Sequence, residues 1–150
     1  MPFDSTRVVH PDWAAHHALV AEGTMNATCT VSSTTSDESG WDPSNGPTAP
    51  GGTTTTYTGR CRLTYLENQP DEGDAAGQAT TVRAVLVALP RAADQQPAGA
   101  RVTITAVDMN GPAALTGRVL TVRSTEYSSH ALEQYLTCTD DQTNQPPGGP

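Results

Sequence analysis

Polar and apolar residues alternate through much of this chain. Over residues 24–33, Met25, Ala27, Cys29 and Val31 fall on one side, and Thr24, Asn26, Thr28, Thr30 and Ser32 on the other. Over residues 57–66, Tyr57, Cys61, Leu63 and Tyr65 oppose Thr58, Arg60, Arg62 and Thr64. A period of two residues is that of a strand with one buried face. The stretch 101–108 repeats it, with Val102, Ile104 and Ala106 inward and Thr103 and Thr105 outward. Two further strands are predicted over 118–124, where Leu120 and Val122 share a face, and over 131–139, where Leu132, Leu136 and Cys138 oppose Tyr135. The stretch 80–89 is different. Val82, Ala84, Leu86 and Ala88 line one face, and Val85, Val87 and Leu89 the other, so both faces need cover.

That cover has two candidates, a helix preceding the first strand or an adjoining subunit. Residues 11–22 read as the helix. Asp12 stands near its start, Ala14, Ala15, Ala18 and Ala21 favour it, and Gly23 offers a stop. Trp13, His16, His17 and Val20 share one face at helical spacing. This face is half apolar, which predicts a helix lying on a surface or against a neighbour. About six short strands separated by turn signals such as Asn110-Gly111-Pro112 indicate a mainly β fold, a small barrel or sandwich with a short N-terminal helix and long loops. The predicted organisation is one domain over 1–139, with the helix at about 12–22, a long loop at 34–54 and an extended tail at 140–150.

The long loop contains Ser36-Asp37-Glu38-Ser39-Gly40, three prolines and Gly51-Gly52, a composition that cannot bury enough surface to fold alone. A loop of such length in a compact domain is usually functional or disordered. Trp41 is its one large apolar residue and a candidate partner contact, or a ring folded back on its own domain. A second polar stretch, from Glu67, carries Asp71, Glu72 and Asp74. These carboxylates lack the spacing of a calcium-binding loop and read as a solvated acidic surface.

Composition narrows the function classes. The chain has 150 residues, of which 35% are hydrophobic and 5% aromatic, so its core must be modest. Its sixteen acidic and eight basic residues, the latter all arginine, give a net charge of −8. Such a surface disfavours binding to nucleic acid, whose affinity rests chiefly on phosphate neutralisation. It suits a wall past which DNA slides without sticking, or simply a soluble surface. The first ten residues hold no continuous apolar core, which speaks against an export signal, and no run approaches the roughly 20 apolar residues of a membrane helix.

The chemistry-bearing residues do not assemble into a recognisable constellation. Cys29, Cys61 and Cys138 lack paired zinc or redox spacing and read as small buried hydrophobes, with a Cys29–Cys61 bridge as the alternative. His16 and His17 are adjacent, so they diverge by roughly 100° around a helix and cannot share a metal as an i, i+4 pair can. Ser128, Ser129 and His130 lie outside any nucleophile-elbow motif. The expectation is a non-enzyme, without metal or cofactor.

The strand phrases carry a resemblance. Ala27-Thr28-Cys29-Thr30-Val31 after a short helix, then Tyr57-Thr58-Gly59-Arg60-Cys61-Arg62-Leu63, resemble the small head-to-tail connector proteins of actinobacterial tailed phages and prophages. The likeness continues in Leu89-Pro90, in Ala98-Gly99-Ala100-Arg101-Val102-Thr103-Ile104-Thr105 and in Leu115-Thr116-Gly117-Arg118-Val119-Leu120-Thr121-Val122, over roughly residues 12–139. Ala100 stands where that family commonly has an acidic residue. The resemblance implies a head-completion or stopper protein, a β-barrel subunit of a homo-oligomeric ring in the neck of the virion, made in the host cytoplasm. Such a ring would extend the DNA channel below the portal and adaptor proteins and meet the tail proteins, with packaged DNA passing without specific binding and no membrane involved. In similar stoppers a long loop helps retain DNA. Residues 34–54, with Trp41, and 67–77, with Asp71, Glu72 and Asp74, are the two candidates. The competing readings are a tail terminator or other tail-side ring protein and, from another class, a bacterial β-sandwich binding module.

Overall fold

The computed structural model describes residues 10–34, 52–66, 82–126 and 131–141. Helix α1 (Trp13–Gly23) leads into six strands: β1 (Ala27–Thr34), β2 (Thr53–Tyr65), β3 (Val82–Pro90), β4 (Arg101–Val107), β5 (Val119–Glu126) and β6 (Glu133–Asp141). A short 3-10 turn, Ala113–Leu115, precedes β5. All neighbouring strands are antiparallel, in the order β1-β2-β3-β6-β5-β4, and β4 returns to β1 so that the sheet closes as a barrel. The mainly β fold with one short N-terminal helix is thus as the alternation predicts.

The inward positions of all six strands build one core. Ala27, Cys29 and Val31 of β1 meet Cys61, Val85, Val87, Leu89, Val102, Ile104, Leu120, Val122, Leu136 and Cys138 in a single buried cluster, with Ala100 at its edge. Tyr57, Leu63 and Tyr65 pack against it. Burial on this scale, at about 25 cal/mol per Å² of apolar surface, is the main term favouring the fold. Glycine has a role at two positions. Gly59 faces Cys29 across the ladder, and a Cβ there would come 2.6 Å from the hydroxyl of Tyr57, whose ring folds over it. Gly99 has φ +85°, a conformation that side chains rarely adopt, and its N–H donates to the Val122 carbonyl at 2.8 Å just before β4 begins.

Several local expectations are corrected. The helix docks through its small residues. Ala14 is buried and Ala18 and Ala21 half-buried, whereas Val20 is 69% exposed and His16 and His17 are exposed. Alanines at i, i+4 and i+7 let the helix approach closely, and it lies over β3 and β6, covering the second apolar face of β3. Asp12 makes no side-chain cap, and the helix ends at Thr24, whose hydroxyl donates to the Ala21 carbonyl at 2.7 Å. Ala106, expected inward, is exposed: a bulge between Thr28 and Cys29 leaves Thr105 unpaired, reverses the parity of β4 and turns Val107 toward the core. The last strand runs to Asp141, so Asp140, assigned to the tail from sequence, is part of β6 and fully buried.

Candidate functional site

Both ends of the barrel are closed by polar side chains. At one end the connection from β3 to β4 folds inward and buries Gln96. A bulge in β2 between the partners of Val31 and Ser32 leaves Thr56 free of the ladder, and its hydroxyl donates to Gln96 Oε1. Gln96 Nε2 donates to the Asp94 carbonyl at 2.6 Å, and the Thr125 hydroxyl donates to the Gln96 carbonyl at 2.7 Å. Thr56 and Thr125 belong to β2 and β5, which are diametrically opposed in the ring, so Gln96 spans the mouth. At the other end Asp140 Oδ2 accepts from Arg118 Nη1 at 2.5 Å and from the Tyr65 hydroxyl at 3.0 Å. Burial, and after it the Asp140 carboxylate, push the Tyr65 phenol up to about 12. Burial likewise pushes Tyr57 up to about 12, and its hydroxyl donates to the Arg60 carbonyl at 2.7 Å.

A second buried ion pair lies on the helix-covered wall. Arg62 Nη2 donates to Glu133 Oε2 at 2.6 Å, the Tyr135 hydroxyl donates to the same oxygen at 2.7 Å, and Arg62 Nη1 bonds the Thr24 hydroxyl at the end of α1. The arginine thereby ties β2, β6 and the helix together. Glu133 is 4% exposed, and its Oε1 has no hydrogen-bond partner. The Tyr135 phenol is raised, first by its bond to Glu133 and then by burial.

The chemistry-bearing residues are spent on structure or scattered. Cys29, Cys61 and Cys138 are free thiols sealed in the core. Cys29 is pushed up by its hydrogen bond to Cys61 and by burial, and burial pushes Cys138 up to about 12, so both stay protonated at neutral pH. His17 stacks on Trp13 with ring centroids 4.5 Å apart and its Nδ1 lies 2.9 Å from the Trp13 carbonyl, while His16 stacks on His10 at 6.2 Å. Among the described residues no three of His, Cys, Asp and Glu gather as a metal site. Trp41, Asp71, Glu72 and Asp74 lie outside the described residues, as do Ser128, Ser129 and His130.

The outer surface is where the sequence left most to find. A cavity of about 230 Å³ sits beside the β4 bulge, lined by Met25, Asn26, Ala27, Thr28, Arg60, Ala106, Val107 and Asp108. Arg60 Nη2 donates to the Met25 carbonyl at 2.8 Å there. Above it, outward residues form cross-strand ranks of small hydroxyls: Thr58, Thr30 and Thr103 in one, and Thr55, Ser32, Arg101, Thr121 and Thr139 in another. Arg123, two residues on from Thr121, is a diagonal neighbour of Arg101, and its Nε lies 3.3 Å from the Thr139 hydroxyl. Arg101 and Arg123 are exposed, and neither forms an ion pair among the described residues.

Charge is distributed unevenly. Seven of the eight arginines and eight of the sixteen acids occupy described positions, which therefore carry about −1. Arg7 and the remaining acids, Asp4, Asp37, Glu38, Asp42, Glu67, Asp71, Glu72 and Asp74, account for the other −7. The barrel is nearly neutral, and the acidity of the chain belongs to the sequence between and before its strands.

Among the described residues no helix is long and apolar enough to cross a membrane. No curated protein and no solved structure matches the chain. The model of one protein family matches residues 17–139, from within α1 to within β6. That span is most of the chain, which belongs to DUF6093, a family of unknown function.

Proposed function

We propose that this protein is a structural component of a phage virion, a head-completion or stopper subunit that assembles as a ring at the head-to-tail junction and extends the DNA channel between portal and adaptor on one side and tail on the other. The observation that carries the reading is the closed barrel: its interior is filled by side chains and both mouths are plugged by Gln96 and by the Arg118–Asp140–Tyr65 cluster. A subunit of this kind has no bore of its own, so any channel lies between copies, and its outer faces do the work. The concentration of acid in the sequence between and before the strands supports a lumen that repels DNA, since a like-charged lining raises the cost of adhesion. The strand phrases resembling connector proteins give the reading its place in the virion, and they extend to no catalytic motif.

The deciding experiment is a density map of particles of the phage or prophage that encodes the chain. A ring of this barrel between portal and tail is the expected result. Its presence only at the far side of the neck, on the tail tube, would make it a tail terminator, and its absence from particles would overturn the reading. Deletion of residues 35–51 in the same particles is expected to leave the barrel folded while impairing DNA retention or tail attachment.

A further inference from the structure

We infer that the hydroxyl-rich wall of β1, β4 and β5, centred on Arg101 and Arg123, is a self-association surface that receives the acidic stretch Glu67–Asp74 of a second copy. The ring-subunit reading supplies its biological setting, and the inference names which surfaces of neighbouring copies meet. Two exposed guanidinium groups stand on adjacent strands of this wall, and neither forms an ion pair among the described residues: β1 and β4 contain no acidic residue, Glu126 at the end of β5 accepts from the Thr137 hydroxyl at 3.3 Å, and Asp141 stands at the far end of β6. Two like charges on one face of a sheet invite an anionic partner that spans both.

The sequence supplies that anion in the same chain. Four carboxylates, Glu67, Asp71, Glu72 and Asp74, fall within eight positions, with no arginine near them. The barrel being almost neutral, its arginine face meets little net repulsion from the rest of its own wall. The neighbouring ranks of Thr and Ser present short hydroxyls that donate to carboxylates or backbone carbonyls without the entropy cost of long side chains. Arginine is the cation of choice for such contacts because its planar fork engages a carboxylate through two parallel bonds. Because the sheet is closed, no strand edge is free to add to another copy, and contact must run through side chains. An arginine face on one copy and an acidic stretch on the next are different surfaces, so the contact is heterologous and propagates as a ring requires.

The experiment uses the full chain and two charge-reversed forms, Arg101→Glu/Arg123→Glu and Asp71→Arg/Glu72→Arg/Asp74→Arg, each checked for an unchanged thermal midpoint. Sedimentation velocity at about 20 mM and about 500 mM salt reads self-association, which screening should weaken. The natural chain is expected to associate at low salt, each reversed form alone to lose this by tenfold or more, and an equimolar mixture of the two to recover it, because each then offers the complement of the other. The milder pair Arg101→Gln/Arg123→Gln is expected to weaken association by a smaller factor. A natural chain that stays monomeric at low salt, reversed forms that associate like the natural chain, or a mixture that fails to recover would each overturn the inference. Duplex DNA is included as a competitor; binding of DNA that depends on Arg101 and Arg123 would overturn it in favour of a polyanion site. None of these outcomes depends on where the chain sits in a particle, so failure of the surface and failure of the virion reading are separable.

Discussion

The wall of β3 and β6 and the wall of β1, β4 and β5 enclose the same core yet face outward in opposite ways. The first presents Val82, Ala84, Leu86 and Ala88 and is covered by the chain's own helix, with Arg62 and Glu133 fastening the helix end. The second presents Thr, Ser and Arg and carries no cover among the described residues. A residue of similar size and register is thus a packing residue on one wall and a contact residue on the other. The difference shows that burial inside a closed sheet places little constraint on its outside. What covers each wall is decided by the outward residues alone.

The sharpest way to break this comparison is to put the same kind of change on both walls. Ala88 is 2% exposed on the covered wall. Ala88→Glu would force a carboxylate beneath α1, and a loss of about 3 kcal/mol or more is expected in urea unfolding. Thr121→Glu on the open wall, where Thr121 is exposed, is expected to stay within about 0.5 kcal/mol of the natural chain. Equal effects would show that the two walls are not distinct.

A smaller effect tests the fastening itself. Arg62→Ala leaves the buried Glu133 carboxylate facing only the Tyr135 hydroxyl and removes the tie from β2 to Thr24. A loss of about 2–3 kcal/mol is expected, discounted from a fully buried pair because Arg62 is partly exposed. Hydrogen exchange should quicken throughout α1 and much less in β1 and β4. Uniform quickening would mean that the ion pair stabilises the barrel and not the cover.

A pH dependence tests the barrel that both walls enclose. The folded state holds Tyr57 and Tyr65 up at about 12, while in the unfolded chain they return to 10. A raised acid of this type contributes nothing adverse below its unfolded value. Above it, the unfolded chain releases protons that the folded one retains, as it does from about 9 for the buried Cys29 and Cys138 thiols, so stability falls as pH rises from about 9 to about 12, the phenols contributing from about 10. Thermal midpoints across that window should decline, and Tyr65→Phe should flatten part of the decline. A midpoint independent of pH there would show that neither phenol is perturbed.

Much of the fold was legible because strand periodicity is a direct record of one-sided burial. Cys29, Val31, Cys61 and Ile104 all point inward as the alternation requires. The two apolar faces of 80–89 correctly called for a cover, and the helix supplies it. Legibility ended where geometry depends on partners. A bulge opposite Thr28 reverses the parity of β4 at Ala106, and no composition marks it. The helix buries alanines and exposes Leu19 and Val20, because distance to the sheet, not hydropathy, selected the face. Glu133 reads in the sequence as an ordinary polar strand residue and Asp140 as part of the tail, because nothing in the sequence marks Arg62 and Arg118 as their partners. The outer ranks of hydroxyls were present in the alternation from the start, but a rank exists only once the strand order is known.

That strand order also sets a timetable for synthesis. β1 is flanked by β2 and β4, and β3 by β2 and β6, so neither wall can be completed by neighbours in sequence alone. A nascent chain that has emerged only as far as residue 100 has β1 and β3 each paired on one side, with Cys29 and Cys61 on a sheet still open to solvent. Such a chain has the unpaired edges that the finished protein lacks. Ribosome release before β6, or slow passage through the final strands, is the point at which this protein is most exposed to aggregation and to thiol oxidation.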